Sequence, residues 1–264
     1  MEEVAAQGEP VAERQPGALE LLLDKRRLLV VAGVLLVELA IFFAATAVPM
    51  DATTQHALQN ESNALNATTG SLGPPALVAF IFTHNAMIAL LEMVPALGGV
   101  LWLFSIYATG QVISASAAAH GIPGPVLGAD LLFLPFAVVE LSAYAVSVAS
   151  GTMLIAAWRR HGLRGEVRVL GLEACAVLGL LLTAATMETV TIINPYLGLS
   201  LWVPLGLVIA AGAWALAKNS SQNAKGPAAG PPAPEASPSF DPSSHPQQVR
   251  APPRELIEDP LPPP

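Results

Sequence analysis

"LPFAVVELSAYAVSVASG", Leu134 to Gly151, is apolar along almost its whole length, yet it holds Glu140 with no Lys or Arg beside it. Neighbouring runs share the pattern. Six apolar segments fall near 28–49, 76–95, 98–118, 135–157, 168–189 and 199–217. Each holds about 20 residues, enough to cross a hydrocarbon core of about 30 Å. In lipid each must be a helix, because every backbone amide needs an internal partner. The expected fold is therefore all-α, a polytopic bundle of six transmembrane helices.

Composition agrees. The 264 residues are 53% hydrophobic and 12% charged, against roughly 25% charged in a soluble domain, and the mean hydropathy is +0.55. The formal charge of -8 accompanies basic residues too few and scattered for a nucleic-acid surface, so no nucleic-acid partner is expected. One cysteine, Cys175, excludes a disulfide framework or a thiolate metal cage within one chain. Its apolar surroundings favour a buried, inert small hydrophobe. No metal or cofactor site is expected.

Lys and Arg assign the sides. Lys25, Arg26 and Arg27 precede the first span, Arg159, Arg160, Arg164 and Arg168 lie between the fourth and fifth, and Lys218 and Lys225 follow the sixth. The connections 50–74, 119–134 and 190–198 contain neither. Both termini are therefore expected in the cytoplasm of a cell-membrane protein. Trp158, Tyr196, Trp202 and Trp214 fall near span ends, where aromatic belts sit. "ATA" at Ala45 imitates a signal-peptidase site, but a 27-residue leader and a 22-residue apolar run are long for that pattern, and an uncleaved anchor is expected.

The expected organisation is a cytoplasmic segment 1–27, a membrane domain 28–217 and a disordered Pro-rich cytoplasmic tail 218–264. "LELLLDKRR", Leu19 to Arg27, reads as a short interfacial helix. The outer connection 50–74 reads as a loop, with glycosylation acceptor patterns at Asn60 and Asn66. "VPALGG", Val94 to Gly99, reads as a tight helical hairpin. "GIPGPVLGADLLFLP", Gly121 to Pro135, reads as a short interfacial or re-entrant helix before the fourth span, with Pro135 at the entry of that span. Thirteen of the 24 prolines lie beyond residue 218, in a tail that cannot bury a core.

Five acids fall within the spans: Glu38, Glu92, Glu140, Glu173 and Glu188. A carboxylate at mid-membrane costs about 2.5–3.5 kcal/mol on insertion scales. Each is expected to face the bundle, accept hydrogen bonds or carry a proton. None is expected to have a Lys or Arg partner in the bilayer interior. Glu92 and Glu173, near the cytoplasmic ends, have room to snorkel, and a structural role is the default for both. Helical rise places Glu140, Glu188, Asn85 and Gly110 in one layer of the outer half. Glu140, Tyr144, Ser147 and Gly151 share a stripe, and Ala143, Ser147 and Gly151 form a small-residue row that permits close helix approach. Spans two to five are thus expected to enclose a polar cluster of Asn85, Gly110, Glu140, Tyr144, Ser147 and Glu188. This cluster is either a site for a cation, proton or polar headgroup, or a hydrogen-bonded network that fixes helix packing. His84 lacks a second ligand at metal spacing and reads as an interface histidine.

Four pieces resemble the stage II sporulation protein M family: "FTHNAMIAL" (Phe82 to Leu90), "YATGQVISA" (Tyr107 to Ala115), "LPFAVVELSAY" (Leu134 to Tyr144) and "TAATMETVTIINP" (Thr183 to Pro195). They cover about 80–195 and carry over Asn85, Gly110, Pro135, Glu140 and Glu188. Thr109, Ser114, Phe136 and Ala137 replace the family's Asn, Gly, His and Gly. The resemblance implies a multi-pass membrane protein, and in spore formers a scaffold that holds peptidoglycan-degrading partners at the septum.

The favoured reading is a non-enzymatic membrane protein that anchors partners from the membrane or cytoplasm, a second copy among them. The alternative is a transporter or channel-like protein for a cation or small polar solute, using the carboxylate layer. Enzyme signatures such as GxSxG or HExxH are absent from the sequence, as is a phosphate-binding loop.

Overall fold

The computed structural model describes residues 22–159 and 163–224. The expected segment 1–27, up to Leu21, and the tail beyond Ala224 lie outside the described residues, as do the first three residues of the expected interfacial helix 19–27. The described residues form helices and no strands. The helices are α1 (Lys25–Ala47), α2 (Ala52–Gly70), α3 (Pro74–Glu92), α4 (Leu97–Ala119), α5 (Gly124–Leu132), α6 (Pro135–Arg159), α7 (Leu163–Ile193), α8 (Pro195–Ser200) and α9 (Trp202–Ala224). Six stretches are long and apolar enough to cross a membrane: Lys25–Ala47, Pro74–Glu92, Leu97–Ala119, Pro135–Arg159, Gly165–Ile193 and Pro195–Ala215. The all-α polytopic reading holds.

The chain divides into two compact units, Met1–Ile209 and Ala210–Pro264. In the second, the described part is the end of α9, where Lys218 Nζ sits 5.2 Å from the Trp214 ring centroid.

Local sequence fixes the helix ends. Asp24 caps α1 by accepting from the amides of Arg26 and Arg27 at 3.1 and 3.4 Å. Lys25 to Arg27 therefore form the first turn of the span itself. Pro74 and Pro135 stand in the first turns of α3 and α6, where a missing N–H goes unnoticed. Asn194 ends α7 and caps α8, its side chain accepting from Tyr196 N at 3.1 Å and Leu197 N at 3.2 Å.

The connection 50–74 corrects the sequence reading. It is mostly helix, not loop. Asp51 accepts from Thr54 N at 3.0 Å and from Thr54 Oγ1 at 2.7 Å. No Gly or Pro interrupts 52–69, and Gly70 closes the helix. Helix α2 buries none of its residues. Its polar composition mimics a loop because no apolar face marks it. Gln59 Nε2 ties it down by donating to Ala115 O at 3.1 Å.

The α3–α4 hairpin forms where "VPALGG" placed it. Leu97 N donates to Pro95 O at 2.8 Å across Ala96, whose φ is +67° and ψ −50°. That is the strained three-residue turn, on a non-glycine residue. The short helix before the fourth span is α5, packed against α1 and α4. Trp202 Nε1 donates to Phe133 O at 2.7 Å and pins the α5–α6 joint to the start of α9.

The core lies where α3, α6 and α7 meet. Ala86 and Ala89 pack with Ala143, Val177 and Leu181. The small-residue row explains the closeness. Ala143 and Ser147 are fully buried, and a Cβ on Gly151 would stand 3.0 Å from Met93 O. Large apolar side chains such as Leu36, Phe104, Val203 and Leu207 face outward, as helices in lipid require.

Cys175 departs from expectation. It is exposed on the outer side of α7, not packed in the core.

Candidate functional site

Asn85 on α3 and Glu140 on α6 meet inside the bundle. The Asn85 amide donates from Nδ2 to Glu140 Oε1 at 3.1 Å, and the Tyr144 hydroxyl donates to the same oxygen at 3.2 Å. Tyr144 lies one helical turn beyond Glu140, so the stripe on α6 forms this part of the cluster.

Two cavities share the Glu140 carboxyl as a wall. The first, a vestibule of about 230 Å³, lies under α2. Glu188 of α7, Asn85 and Glu140 line it, with Asn66 and Thr69 of α2 above. The second, a chamber of about 130 Å³, lies deeper among α1, α3, α4 and α6. Glu38, Glu92, Trp102, Glu140 and Tyr144 line it. His84 and Asn85 also border both.

The chamber holds polar atoms without partners. Glu38 is 1% exposed, Glu92 2% and Trp102 8%. Glu38 Oε2, Glu92 Oε2 and Trp102 Nε1 make no hydrogen bond. The Trp102 indole faces Glu38 without reaching bonding geometry. Each orphaned buried group costs roughly 2–7 kcal/mol. A network that existed only to fix packing would be better made of apolar side chains.

Other expected members sit elsewhere. Gly110 belongs to a helix contact, where a Cβ would stand 2.5 Å from Ala45 Cβ and 3.0 Å from Phe42 O. Ser147 is buried but donates to Ala143 O at 3.1 Å within its own helix. Pro135 is buried at the start of α6. Asn60 and Asn66 are exposed on α2, and only Asn66 borders the vestibule.

Two expectations about the acids are corrected. Glu173 does have a charge partner, because Arg27 Nη1 lies 2.8 Å from Glu173 Oε1. Arg27 also binds Glu166, so the three close the α1–α7 contact at the basic end of the bundle. The partner lies 146 residues away in sequence and on another helix, invisible to a search within one span. Neither Glu173 nor Glu92 snorkels, for both are buried. The site is also wider than spans two to five, since α1 supplies Glu38. Its central place in an apolar helix was the available signal. Among the described residues, no group of three His, Cys, Asp or Glu side chains is arranged to hold a metal ion.

Fold and cavities together define a polytopic helical membrane protein with an acid-lined interior. The sequence profile of the Stage II sporulation protein M family matches residues 28–191, and the chain belongs to that family. The match takes in α1 and Glu38, which the four short motifs between about 80 and 195 had left out. No curated protein and no solved structure matches the chain.

Proposed function

We propose that this chain is a non-enzymatic integral protein of the cell membrane, with both termini cytoplasmic, whose interior binds and passes a cation or small polar solute. One observation carries the reading: buried carboxyl oxygens of Glu38 and Glu92 stand unpartnered in a chamber that Glu140 also lines. Ionisable groups kept inside a bundle at such cost mark ion and substrate paths. Topology rests on the Lys and Arg bias.

The test is tracer uptake into liposomes holding the purified full chain, with sodium, rubidium and methylammonium as probes and acid–base flux followed in parallel. The expected result is flux of at least one species in wild type and its loss in Glu140→Gln. Absence of every flux, with the protein folded and correctly inserted, overturns the reading.

The anchoring role is supported by a different feature. An apolar groove of about 600 Å³ runs between α3 and α4, lined by Ile88, Leu91, Leu101 and Phe104. A partner's transmembrane helix of small and apolar residues fits such a groove. Its test is purification in mild detergent with mass spectrometry of companions, with and without residues 219–264. A stoichiometric companion held by Leu101 and Phe104 supports anchoring, and recovery of the chain alone counts against it.

A further inference from the structure

We infer that the species handled in this interior is the proton, and that Glu140 is the relay between vestibule and chamber. The inference rests on the transport reading above and narrows it to one cargo.

Position comes first. Glu140 borders both cavities, with Glu188 on the vestibule side and Glu38 and Glu92 on the chamber side. Four carboxyls from α7, α6, α1 and α3 therefore follow one another from beneath α2 toward the α3–α4 turn. A chamber of about 130 Å³ has room for several water molecules. Water between carboxyls is the medium in which a proton hops without a moving side chain.

The second observation is the mixture of orphaned groups. Glu38 Oε2 and Glu92 Oε2 are acceptors without donors, and Trp102 Nε1 is a donor without an acceptor. All three residues are more than nine-tenths buried and line the same chamber. A metal ion wants a shell of oxygens and no N–H or O–H facing it. This chamber interleaves the carboxyls with three donors: Asn85, Tyr144 and Trp102. A proton needs the opposite of a shell. It is passed between acceptors whose positions are held by neutral donors, and Asn85 and Tyr144 hold Glu140 in that way.

The transfer balances without a co-reactant. A proton from vestibule water, or from Glu188, joins a Glu140 carboxylate oxygen and forms an O–H bond. That bond breaks as chamber water takes the proton on to Glu38 and from there to Glu92, and Glu140 returns to the carboxylate. The titratable groups that face it are Glu38 from α1, His84 and Glu92 from α3, Tyr144 from α6 and Glu188 from α7, with Asn85 and Trp102 as neutral neighbours.

The experiment uses the full chain in liposomes loaded with a pH-sensitive dye, with the voltage clamped by potassium and valinomycin. Wild type, Glu140→Gln, Glu140→Asp and Glu38→Gln are compared, with exposed Asp130→Asn on α5 as control. The expected result is proton flux that survives replacement of sodium by N-methylglucamine and falls at least about tenfold in Glu140→Gln and Glu38→Gln. Glu140→Asp retains part of it, and Asp130→Asn matches wild type. Elution as a single species in detergent shows that each variant is folded; if Glu140→Gln fails this, Glu38→Gln and Glu140→Asp carry the comparison. Equal proton flux in a folded Glu140→Gln overturns the relay. Sodium or rubidium flux without proton flux overturns the proton assignment and leaves the pathway standing. Absence of all flux overturns both.

Discussion

Arg27 and Glu173, on the first and fifth spans, are joined at 2.8 Å with both side chains 7% exposed. An apolar α1 beginning with "KRR" looks like an anchor held only by lipid. The pair, with Glu166 beside it, makes α1 an integral wall of the bundle, and that wall carries Glu38.

Removing Arg27 leaves the buried Glu173 and its neighbour Glu166 without compensation. Arg27→Met is expected to destabilise the protein by about 3–5 kcal/mol. Arg27→Met combined with Glu173→Met and Glu166→Gln is expected to recover most of the loss. Thermal unfolding in detergent measures both, and a single-variant cost below about 1 kcal/mol would place the trio with weak surface pairs.

Gly110 permits α4 to touch the backbone of α1. Gly110→Val is expected to cost about 1–3 kcal/mol by forcing the helices apart. Gly179→Ala, with open space around its Cβ position, serves as the control and is expected to be neutral or mildly stabilising. The same unfolding assay decides. Equal behaviour of the two variants would remove the α1–α4 contact from the argument.

Ala96 adopts a left-handed φ of +67° in the turn beneath the chamber. Ala96→Gly relieves that backbone and is expected to stabilise the protein by roughly 1 kcal/mol. Ala96→Val is expected to destabilise it. A loss of stability in Ala96→Gly contradicts the turn.

Asp51 lies outside the spans, where the Thr54 amide and then the Thr54 hydroxyl hold its carboxyl below the usual carboxylate range. A depressed pKa contributes stability above the unfolded value and loses it as pH falls through the folded one. The start of α2 is therefore expected to fray in acid, seen as faster amide exchange at Thr54. Asp51→Asn keeps a cap without that pH dependence, and Asp51→Ala frays at every pH. Exchange at Thr54 that ignores the substitution refutes the cap.

The meeting of Glu140 and Asn85 inside the bundle was legible because a lone acid in an apolar span demands shelter and helical rise put Asn85 at the same depth. Tyr144 followed from its stripe. Gly110 shared the depth but faces α1, since depth along a span says nothing of rotation about it. Helix α2 was misread because it buries no residue fully and its half-buried side is mostly polar, so it shows no apolar period, leaving only its cap and its lack of Gly and Pro as signals.

Number, length and helicity of the spans follow from the sequence alone. Apolar length and the need of every backbone amide for an internal partner are local properties of each segment, so no neighbour has to be known. Which acids meet was decided only in the folded bundle. The rotational setting of each helix comes from contacts between distant residues: Gly110 on Phe42 and Ala45, Gly151 on Met93, Arg27 on Glu173. Those contacts turn Glu38 and Glu92 into the chamber beside Glu140 and leave Gly110 and Ser147 in the packing.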